Sequence, residues 1–460
     1  MSLSNGCCED SKTIPHPFEG YRGMGGSGNM ELFDAKNPIP DEVTDTDALQ
    51  KLFEDFKLVP FASANKKTGH AYLTWLLTLS KLSPTNAACI EKIKNYVVGG
   101  KAKFVRAEDP EYNSGLKGGP MTASENKAFS DALKETVIFE GGVIDFHKKI
   151  LGSAKATGNA FVECSISTIN GQTKANLRYL KVTDVMYKVT APGEMKVVVI
   201  SPVWEDGYLK KNKPVLLPVA PDFVEENGVK KAVFHLKVGD GNWYGRPDSQ
   251  GSDVYKYREV QDSIYVTKQS AANFVGQIIL EVEDDDAGSA PAIDNEDAKK
   301  SGFKSFVDRL TQNFTQKGKD PQSMMVTARP QGARPMSVFQ VKPNTNEKWY
   351  EVTGKISESK IIMSHGVTLR FMGLDVSNGF SSDAFVADYV MNVEPTINET
   401  RTELMVFTNK ILSFVWDFAG KSEMNQFSLT FSSPIQSQIE QYKSTQTQQE
   451  NGRSDTNNTV

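Results

Sequence analysis

The sequence is poor in the residues that build disulfide bonds and metal sites. Its 460 residues include four cysteines and five histidines, with no CxxC pair and no cysteine–histidine cluster at metal-binding spacing. Cys89 and Cys164 lie among apolar residues of a predicted helix and a predicted strand, so we expect buried free thiols. Cys7 and Cys8 lie in a Gly/Ser-rich leader, where we expect exposure. The sequence therefore predicts no metal ion and no cofactor.

Motifs of the common enzyme classes are absent as well. No Walker motif, GxGxxG, HExxH or GxSxG occurs, so their phosphate-cradling, metal-binding and nucleophilic elements are missing. Ser364 and His365 are adjacent, but neighbouring residues on a helix point about 100° apart, which favours local contacts over a catalytic pair. The densest carboxylate run, Glu283 to Asp286, lies in polar sequence where burial cannot tune its pKa. We therefore expect no enzymatic activity.

The chain also lacks segments that direct a protein into or across a membrane. It has no apolar run of about 18 residues, the length that a membrane-spanning helix needs. Its N-terminus has neither the basic nor the apolar region of a signal peptide, which predicts a protein made and kept in the cytoplasm. The net charge of −5 argues against tight binding of nucleic acid, which depends on many Lys and Arg residues, but is compatible with a conduit through which DNA slides.

The most informative stretch is a very long amphipathic helix near the C-terminus. Between Val386 and Phe414, apolar residues recur at steps of three, four or seven, which is helical periodicity. Pro395 lies inside this pattern. Because proline removes a backbone donor and crowds the preceding turn, we expect a kink there. The chain is too long for one compact core and is expected to form two or three domains.

The segment before this helix, residues 366–383, combines turn-forming residues with a cluster of apolar ones: Leu369, Phe371, Met372 and Leu374. One interpretation is a helix–helix connection folded onto its own core, which composition alone favours. The other is a mobile projection that packs against neighbouring copies of the chain and offers polar groups to a passing ligand.

The remaining sequence mixes helical and strand patterns. Helical spacing starts at Asp47 and predicts helices at Ser124–Thr136, Gly142–Leu151, Ser252–Gly276 and Phe303–Phe314. Alternation predicts an antiparallel β region from Phe161–Ile166, Leu177–Val182, Lys196–Ile200 and Ala232–Val238. Further strands are predicted at Gln277–Val282, Ser323–Thr327, Ser337–Val341 and Phe427–Phe431, the last as an edge strand. A polar loop is expected between Gly100 and Gly119. The acidic run at residues 283–300 favours a solvated loop, with a docking surface as the alternative.

The order of these features resembles the portal proteins of tailed double-stranded DNA bacteriophages. The resemblance rests on a helix ending in His365-Gly366-Val367, the segment Leu369-Arg370-Phe371-Met372-Gly373-Leu374, a Gly/Asn/Ser spacer and a long helix with an internal proline. Weaker matches are a Leu-Ser-Pro element ending at Pro84, the strand start Gly158-Asn159-Ala160-Phe161 and the boundary Tyr244-Gly245-Arg246-Pro247. Where the family usually has a proline pair after Gly-Val, this chain has Thr368-Leu369.

The resemblance implies an α+β, portal-like subunit, with a helical and antiparallel-β wing and two stem helices flanking a small α/β clip. The expected segments are a flexible N-terminal arm (1–45), the wing (46–250), the first stem helix (251–276), the clip (277–345), the second stem helix (346–365), the tunnel loop (366–383), the long kinked helix with a terminal strand (384–435) and a disordered tail (436–460).

The same resemblance implies a homo-oligomeric ring, twelve-fold in the family, at one capsid vertex of the virion, assembled in the host cytoplasm. Double-stranded DNA passes through it non-specifically during packaging and ejection. Implied partners are the terminase, major capsid and scaffold proteins, and a head-completion or tail adaptor protein, with no membrane.

Two sets of candidate residues follow from this comparison. The DNA-channel set is expected to form rings of positive charge and a flexible collar of loops packed against each other, and contains Arg370, Phe371, Met372, Leu374, Asn378, Lys355 and Lys360. The partner-docking set in the clip contains Asp284, Asp285, Asp286, Arg329 and Arg334. The alternatives are another phage ring or baseplate component without a DNA channel, and a cytosolic enzyme with an unrecognised site.

Overall fold

The computed structural model describes residues 47–61, 69–106, 121–190, 196–239, 243–271, 279–284, 325–330, 347–374, 382–442 and 444. The chain divides into two compact units, a larger one of Met1–Val254 with Ile362–Val460 and a smaller one of Tyr255–Ile361. Within these ranges no helix is long and apolar enough to cross a bilayer. The predicted N-terminal arm, the helix at 303–314, the strand at 337–341, and Asn378, Asp285, Asp286 and Arg334 lie outside the described residues.

The helices of the larger unit surround a mixed set of strands, as the α+β prediction requires. Its helices are α1 (Asp47–Asp55), α2 (Gly69–Leu82), α3 (Pro84–Val98), α4 (Ala123–Thr136), α5 (Val143–Thr157) and α6 (Asp206–Lys211). Its strands are β1 (Leu58–Val59), β2 (Ala102–Arg106), β3 (Val137–Phe139), β4 (Asn159–Ile169), β5 (Gln172–Leu180), β6 (Val185–Lys188), β7 (Val197–Ile200), β8 (Val215–Pro218), β9 (Val224–Glu226) and β10 (Val229–Lys237).

One helix leads along the chain from the larger unit into the smaller one, and a second helix leads back. Two strands lie between these helices in sequence. These are α7 (Asp253–Ala271), β11 (Ile279–Asp284), β12 (Met325–Pro330) and α8 (Glu347–Ser364). β11 and β12 pair in parallel, with Ile279 opposite Met325. The chain then continues through α9 (Leu369–Met372), α10 (Ser382–Asp388), α11 (Glu394–Ala419) and β13 (Phe427–Phe431).

Local sequence explains where several helices begin. Ser83 caps α3 by accepting a hydrogen bond from the backbone of Asn86, and Pro84 occupies the first turn, where a missing N–H costs nothing. Thr122 and Glu125 form a reciprocal capping box at the start of α4.

The main sheet has five strands in the order β3-β5-β4-β10-β9. Its β4–β10, β4–β5 and β9–β10 pairs are antiparallel, as predicted. The β4–β5 hairpin turns at Asn170 and Gly171, both with positive φ, which is the requirement of a tight two-residue turn. β3 is the exception, since it lies parallel to β5. A second, four-stranded sheet has the order β1-β6-β7-β8.

Residues 102–106 correct one prediction. They lie in the expected polar loop but form β2, which pairs antiparallel with β13 over Ala102–Phe431 to Arg106–Phe427. The edge strand predicted at Phe427–Phe431 is therefore confirmed as β13, and its partner was missed. The reason is that Phe104 packs on Phe129, with ring centroids 4.3 Å apart, and this packing is invisible in the local composition.

The long C-terminal helix is built as predicted but is interrupted earlier than Pro395. Tyr389–Val393 form a π-helical turn between α10 and α11, and Pro395 lies in the first turn of α11. A π turn accommodates the carbonyl that proline leaves without a donor. Ile397, Leu404 and Ile411 are buried along one face, as the periodicity predicted.

An extended cluster of buried residues in the larger unit includes much of α11, and a second, smaller cluster packs α1 against β6 and β7. Trp416 lies edge-on to Phe129 with centroids 5.1 Å apart, and Cys89 and Cys164 are both fully buried free thiols, as predicted. Residues 436–442 are helical and Ile439 is 2% exposed, which corrects the start of the predicted disordered tail. Ile439 lies in the core cluster, and Ile435, just before this turn, packs against it.

Two glycine motifs from distant parts of the sequence interlock at the end of α5. Gly158 has φ +76°, and a Cβ there would lie 2.3 Å from the carbonyl carbon of Arg246. A Cβ on Gly245 would lie 2.2 Å from the Gly158 oxygen. Asn159 fastens the contact, because its Oδ1 accepts from the Gly245 N–H at 2.7 Å and its Nδ2 donates to the Gly245 carbonyl at 3.1 Å. Only glycine allows the two backbones to approach this closely.

The aromatic residue next to this contact joins two strands of the four-stranded sheet, β1 and β6. The Tyr244 hydroxyl donates to the Val59 carbonyl at 2.8 Å and accepts from the Tyr187 N–H at 3.0 Å. The turn at Tyr244-Gly245 therefore has the structural role of an aromatic staple.

Candidate functional site

The segment between α8 and α10 is a capped single turn of helix. Thr368 precedes α9, accepts a hydrogen bond from the Phe371 N–H at 3.1 Å, and donates its hydroxyl proton to Asp388 Oδ2 at 2.5 Å. Gly373 ends the turn with φ +85°, and its N–H donates to the Arg370 carbonyl at 2.9 Å. Thr368 thus fixes the turn by hydrogen bonds.

Phe371 anchors this turn in the chain's own core. Its side chain is fully buried, and its ring lies edge-on to Tyr96 with centroids 4.8 Å apart. The neighbouring Met372 places its Sδ 3.9 Å from Cys89 Sγ on α3. This geometry corrects the expectation that Phe371 packs against neighbouring copies, because no part of its side chain reaches the surface. The first interpretation, a connection folded onto its own core, describes Phe371 and Met372.

The other residues of the turn remain at the surface. Leu369 and Leu374 are 37% and 49% exposed, and Arg370 is half-buried between them. A single helical turn places residues 369 and 370 on a different side from 371. The turn therefore holds one guanidinium and two leucines outside a core-anchored aromatic ring.

A second cation accompanies this turn and was missed in the sequence. The Lys92 ammonium on α3 lies 5.0 Å from the centroid of the Phe371 ring, a cation–π distance. Partial burial lowers the pKa of Lys92. No local pattern links Lys92 to this turn, since the two are separated by most of the chain.

Polar contacts connect the end of α8 and the start of the turn to α3, to α11 and to Ser252. His365 Nε2 lies 2.8 Å from Asn86 Oδ1, and because an amide oxygen only accepts, the imidazole carries its proton on Nε2. The Thr396 hydroxyl donates to the carbonyl of Gly366 at 3.0 Å. Ser364 donates to the Ser252 hydroxyl at 2.6 Å. Ser364 and His365 thus each contact a different element, which fits the helix-end role predicted for them.

The candidate lysines of α8 lie in the smaller unit. Lys355 Nζ is 2.6 Å from Glu351 Oε1, one turn earlier, and both side chains are largely exposed. This hydrogen bond raises the pKa of Lys355 and lowers that of Glu351. Lys360 is exposed. The charge of Lys355 is thus offset locally, whereas Lys360 has no ion pair among the described residues.

Two members of the predicted docking set lie on the paired strands of the smaller unit. Asp284 ends β11 opposite Pro330, and Arg329 on β12 is opposite Glu283. The parallel register therefore places Asp284 and Arg329 at the same end of the pair.

In the part of the chain that the structure describes, no group of three His, Cys, Asp or Glu residues could hold a metal ion.

Comparison with known proteins finds similarity in structure only. No protein-family model matches the chain, and no curated protein matches it. Among solved structures, the chain is similar to a component of the virion of a native gene transfer agent particle, with 13% identity, coverage of 84% of this chain and 90% of that chain, and a TM-score of 0.45.

Two further solved structures are similar to the chain at comparably low sequence identity. A component of the neck of an empty gene transfer agent particle has 12% identity over 78% of this chain and 84% of that chain, with a TM-score of 0.43. An HK97 family phage portal protein from Corynebacterium diphtheriae has 12% identity over 78% of this chain and 93% of that chain, with a TM-score of 0.36.

Proposed function

We propose that the chain is a portal-type subunit of a tailed phage or prophage. In this proposal, copies of the chain form a ring, twelve-fold by the family resemblance, at one capsid vertex of the virion. The ring passes double-stranded DNA during packaging and ejection and has no catalytic activity. The terminase and a head-completion or tail adaptor protein dock at residues 277–345, and major capsid and scaffold proteins surround the ring, which assembles in the host cytoplasm.

The observation that carries the proposal is the turn at Thr368–Leu374. Phe371 fixes it to the core while Arg370 stays at the surface. In a ring, one Arg370 per subunit becomes a circle of positive charge around the axis, joined by Lys360. Such a circle attracts phosphates without reading base edges, so the duplex is held loosely enough to slide. The net charge of −5 on each chain keeps the total attraction weak.

Apolar surface on α8 supports self-association. Val352 and Ile356 are 55% and 46% exposed and lie one helical turn apart, on one side of the helix. Contact with a second copy would remove both from water. Self-association does not distinguish this proposal from the alternative, a phage ring or baseplate component without a DNA channel, because both require it.

The first experiment measures the mass of the full chain by light scattering, followed by negative-stain imaging of the main peak. We expect rings with a central hole wide enough for a duplex. A compact monomer or dimer, unchanged when capsid and scaffold proteins are added, would contradict the proposal and return attention to an enzyme with an unrecognised site.

A second experiment separates the channel from other ring functions. Arg370→Ala is expected to leave the ring intact and to change DNA packaging or retention, while Lys127→Ala, at an exposed position on α4, changes neither. Unaltered packaging by intact Arg370→Ala rings would favour the alternative without a channel role for this turn.

A further inference from the structure

A groove on the larger unit lies beside the main sheet, away from the turn at Thr368–Leu374. It has a volume of about 280 Å³. Its walls come from β6, from β10, from the chain after β8, from Trp243 and from α11. The proposed channel function uses none of these residues.

The groove follows the open edge of β10. Phe234 and His235 are neighbours on this strand and therefore point to opposite faces of the sheet, yet both line the groove. Only a groove along the strand's edge touches both faces. β9 pairs with β10 at Val229–Lys231, and the Val233 carbonyl accepts from the Ala220 N–H at 2.9 Å.

Beyond Val233, backbone N–H and C=O groups of β10 point towards this edge. In an antiparallel sheet the N–H and C=O of alternate residues point to the same side. His235, two residues after Val233, therefore directs its N–H and C=O away from β4 and towards the groove. No strand in the described ranges pairs with β10 there. An extended segment placed in the groove would continue the sheet.

The side chains around the groove define the charge of such a segment. Lys237 on β10 and Lys410 on α11 are both at exposed positions, and the described residues of the lining include no carboxylate. Lys410 has no ion pair among the residues that the structure describes. Phe407 and Trp243 add apolar surface to the lining. The surroundings thus favour a segment that carries acidic side chains next to apolar ones.

We propose that this groove binds an extended acidic peptide segment of a partner protein, which adds a strand to the edge of β10 and places carboxylates against Lys237 and Lys410. Backbone pairing with His235 supplies the orientation, and the lysines supply the preference for acidic over basic sequences.

The test measures binding of short peptides to the full chain by fluorescence anisotropy. The probe is a fluorescein-labelled heptapeptide of alternating valine and glutamate with blocked ends. Saturable binding is expected, and replacing the glutamates by lysines is expected to weaken it by about tenfold or more. A third peptide carries an N-methyl group on its central residue, which removes one backbone donor, and it too is expected to bind about tenfold more weakly.

Variants of the protein locate the binding. Lys410→Glu and Lys237→Glu are each expected to weaken binding of the acidic peptide by about tenfold, because each reverses an exposed charge at the groove. Lys127→Glu, the same change at an exposed position on α4, is the control and should leave binding unchanged. Circular dichroism checks that each variant is folded.

Three results would overturn the proposal. The first is absence of saturable binding of the acidic peptide. The second is equal weakening by Lys127→Glu, which would reduce the effect to net charge. The third is full-strength binding of the N-methyl peptide, which would mean that the lysines attract carboxylates without strand addition. None of these results depends on ring formation, so they test the groove separately from the portal proposal.

Discussion

Arg401 is an unusual core residue, because its charged side chain is only 2% exposed. Its guanidinium donates to the carbonyls of Tyr96 at 2.8 Å and Val97 at 3.3 Å, in the last turn of α3, and to Asn398 Oδ1 at 2.8 Å. Carbonyls in the last turn of a helix have no partner within it, and the negative end of the helix dipole favours a cation. Arg401 therefore fastens α3 to α11.

Arg401→Met keeps much of the volume and removes every donor. We expect the free energy of unfolding to fall by about 2–4 kcal/mol, because two buried carbonyls lose their partner. Urea denaturation followed by circular dichroism measures the change. Arg178→Met, which removes an ion pair in which the arginine side chain is 53% exposed, should cost less than Arg401→Met. Equal costs for the two variants would contradict the role assigned to Arg401.

His147 makes the stability of the chain sensitive to acid. Burial lowers its pKa to about 4, against 6.5 for a free histidine. Its Nδ1 lies 2.6 Å from the Val143 carbonyl, so the neutral ring carries its proton there, and Nε2 lies 3.0 Å from the Thr408 hydroxyl oxygen. Between pH 6.5 and 4 the unfolded chain binds the additional proton, so stability is complete above 6.5 and falls as the pH decreases towards 4.

The full effect of this one histidine is about 3 kcal/mol. In His147→Gln, the slope of unfolding free energy against pH should be smaller than in the unchanged protein by about 1.4 kcal/mol per pH unit around pH 5. Above pH 7.5 the difference between the two proteins should no longer change with pH. Parallel curves from pH 4.5 to 7 would show that His147 does not contribute. His235, whose pKa burial lowers to about 3, adds to the acid sensitivity in both proteins.

At the scale of elements, the interlock of Gly158 with Gly245 predicts a graded series of glycine substitutions. Gly158→Ala should cost about 2–4 kcal/mol, because its Cβ would collide with the Arg246 backbone and φ is +76°. Gly171→Ala has the same backbone strain with nothing within 4 Å and should cost about 1–2 kcal/mol. Gly251→Ala has neither problem and should change stability by less than about 0.5 kcal/mol.

Chemical denaturation of the three variants measures this order. If Gly158→Ala and Gly171→Ala cost the same, the close approach of the two backbones would contribute nothing. If Gly251→Ala cost as much as the others, added volume at any glycine would explain the series, and the interlock would not be needed.

Elements with strong local periodicity could be predicted from the sequence, and contacts between distant segments could not. Ile397, Leu404 and Ile411 repeat at a step of seven, so the buried face of α11 was evident. The π turn before Pro395 was not evident, since proline signals only that some irregularity is required. β2 was missed because its partner β13 lies more than 300 residues further along the chain. The same limit applies to the candidate site: the apolar residues of this segment were evident in the sequence, but the burial of Phe371 depends on Tyr96, and Lys92 has no sequence signal.

At the scale of the whole molecule, the portal proposal requires that exposed apolar side chains of single chains become buried between copies. Ile356 on α8 is 46% exposed, and Val352, one turn earlier, is 55% exposed. Ile356→Glu places a charge on this surface, and burying an unpaired carboxylate is costly. The stability of the single chain should change little, because the side chain at this position is already in contact with water.

We therefore expect Ile356→Glu to shift the mass measured by light scattering from the ring to the single chain, while the circular dichroism spectrum and the urea midpoint of the single chain stay unchanged. Lys355→Ala is the matched control, since it alters the next residue, about 100° around the helix, and should leave the ring intact. Rings of full mass from Ile356→Glu would exclude this side of α8 from the subunit contact. Loss of the ring by both variants would mean that the whole circumference of α8, and not its apolar side, determines assembly.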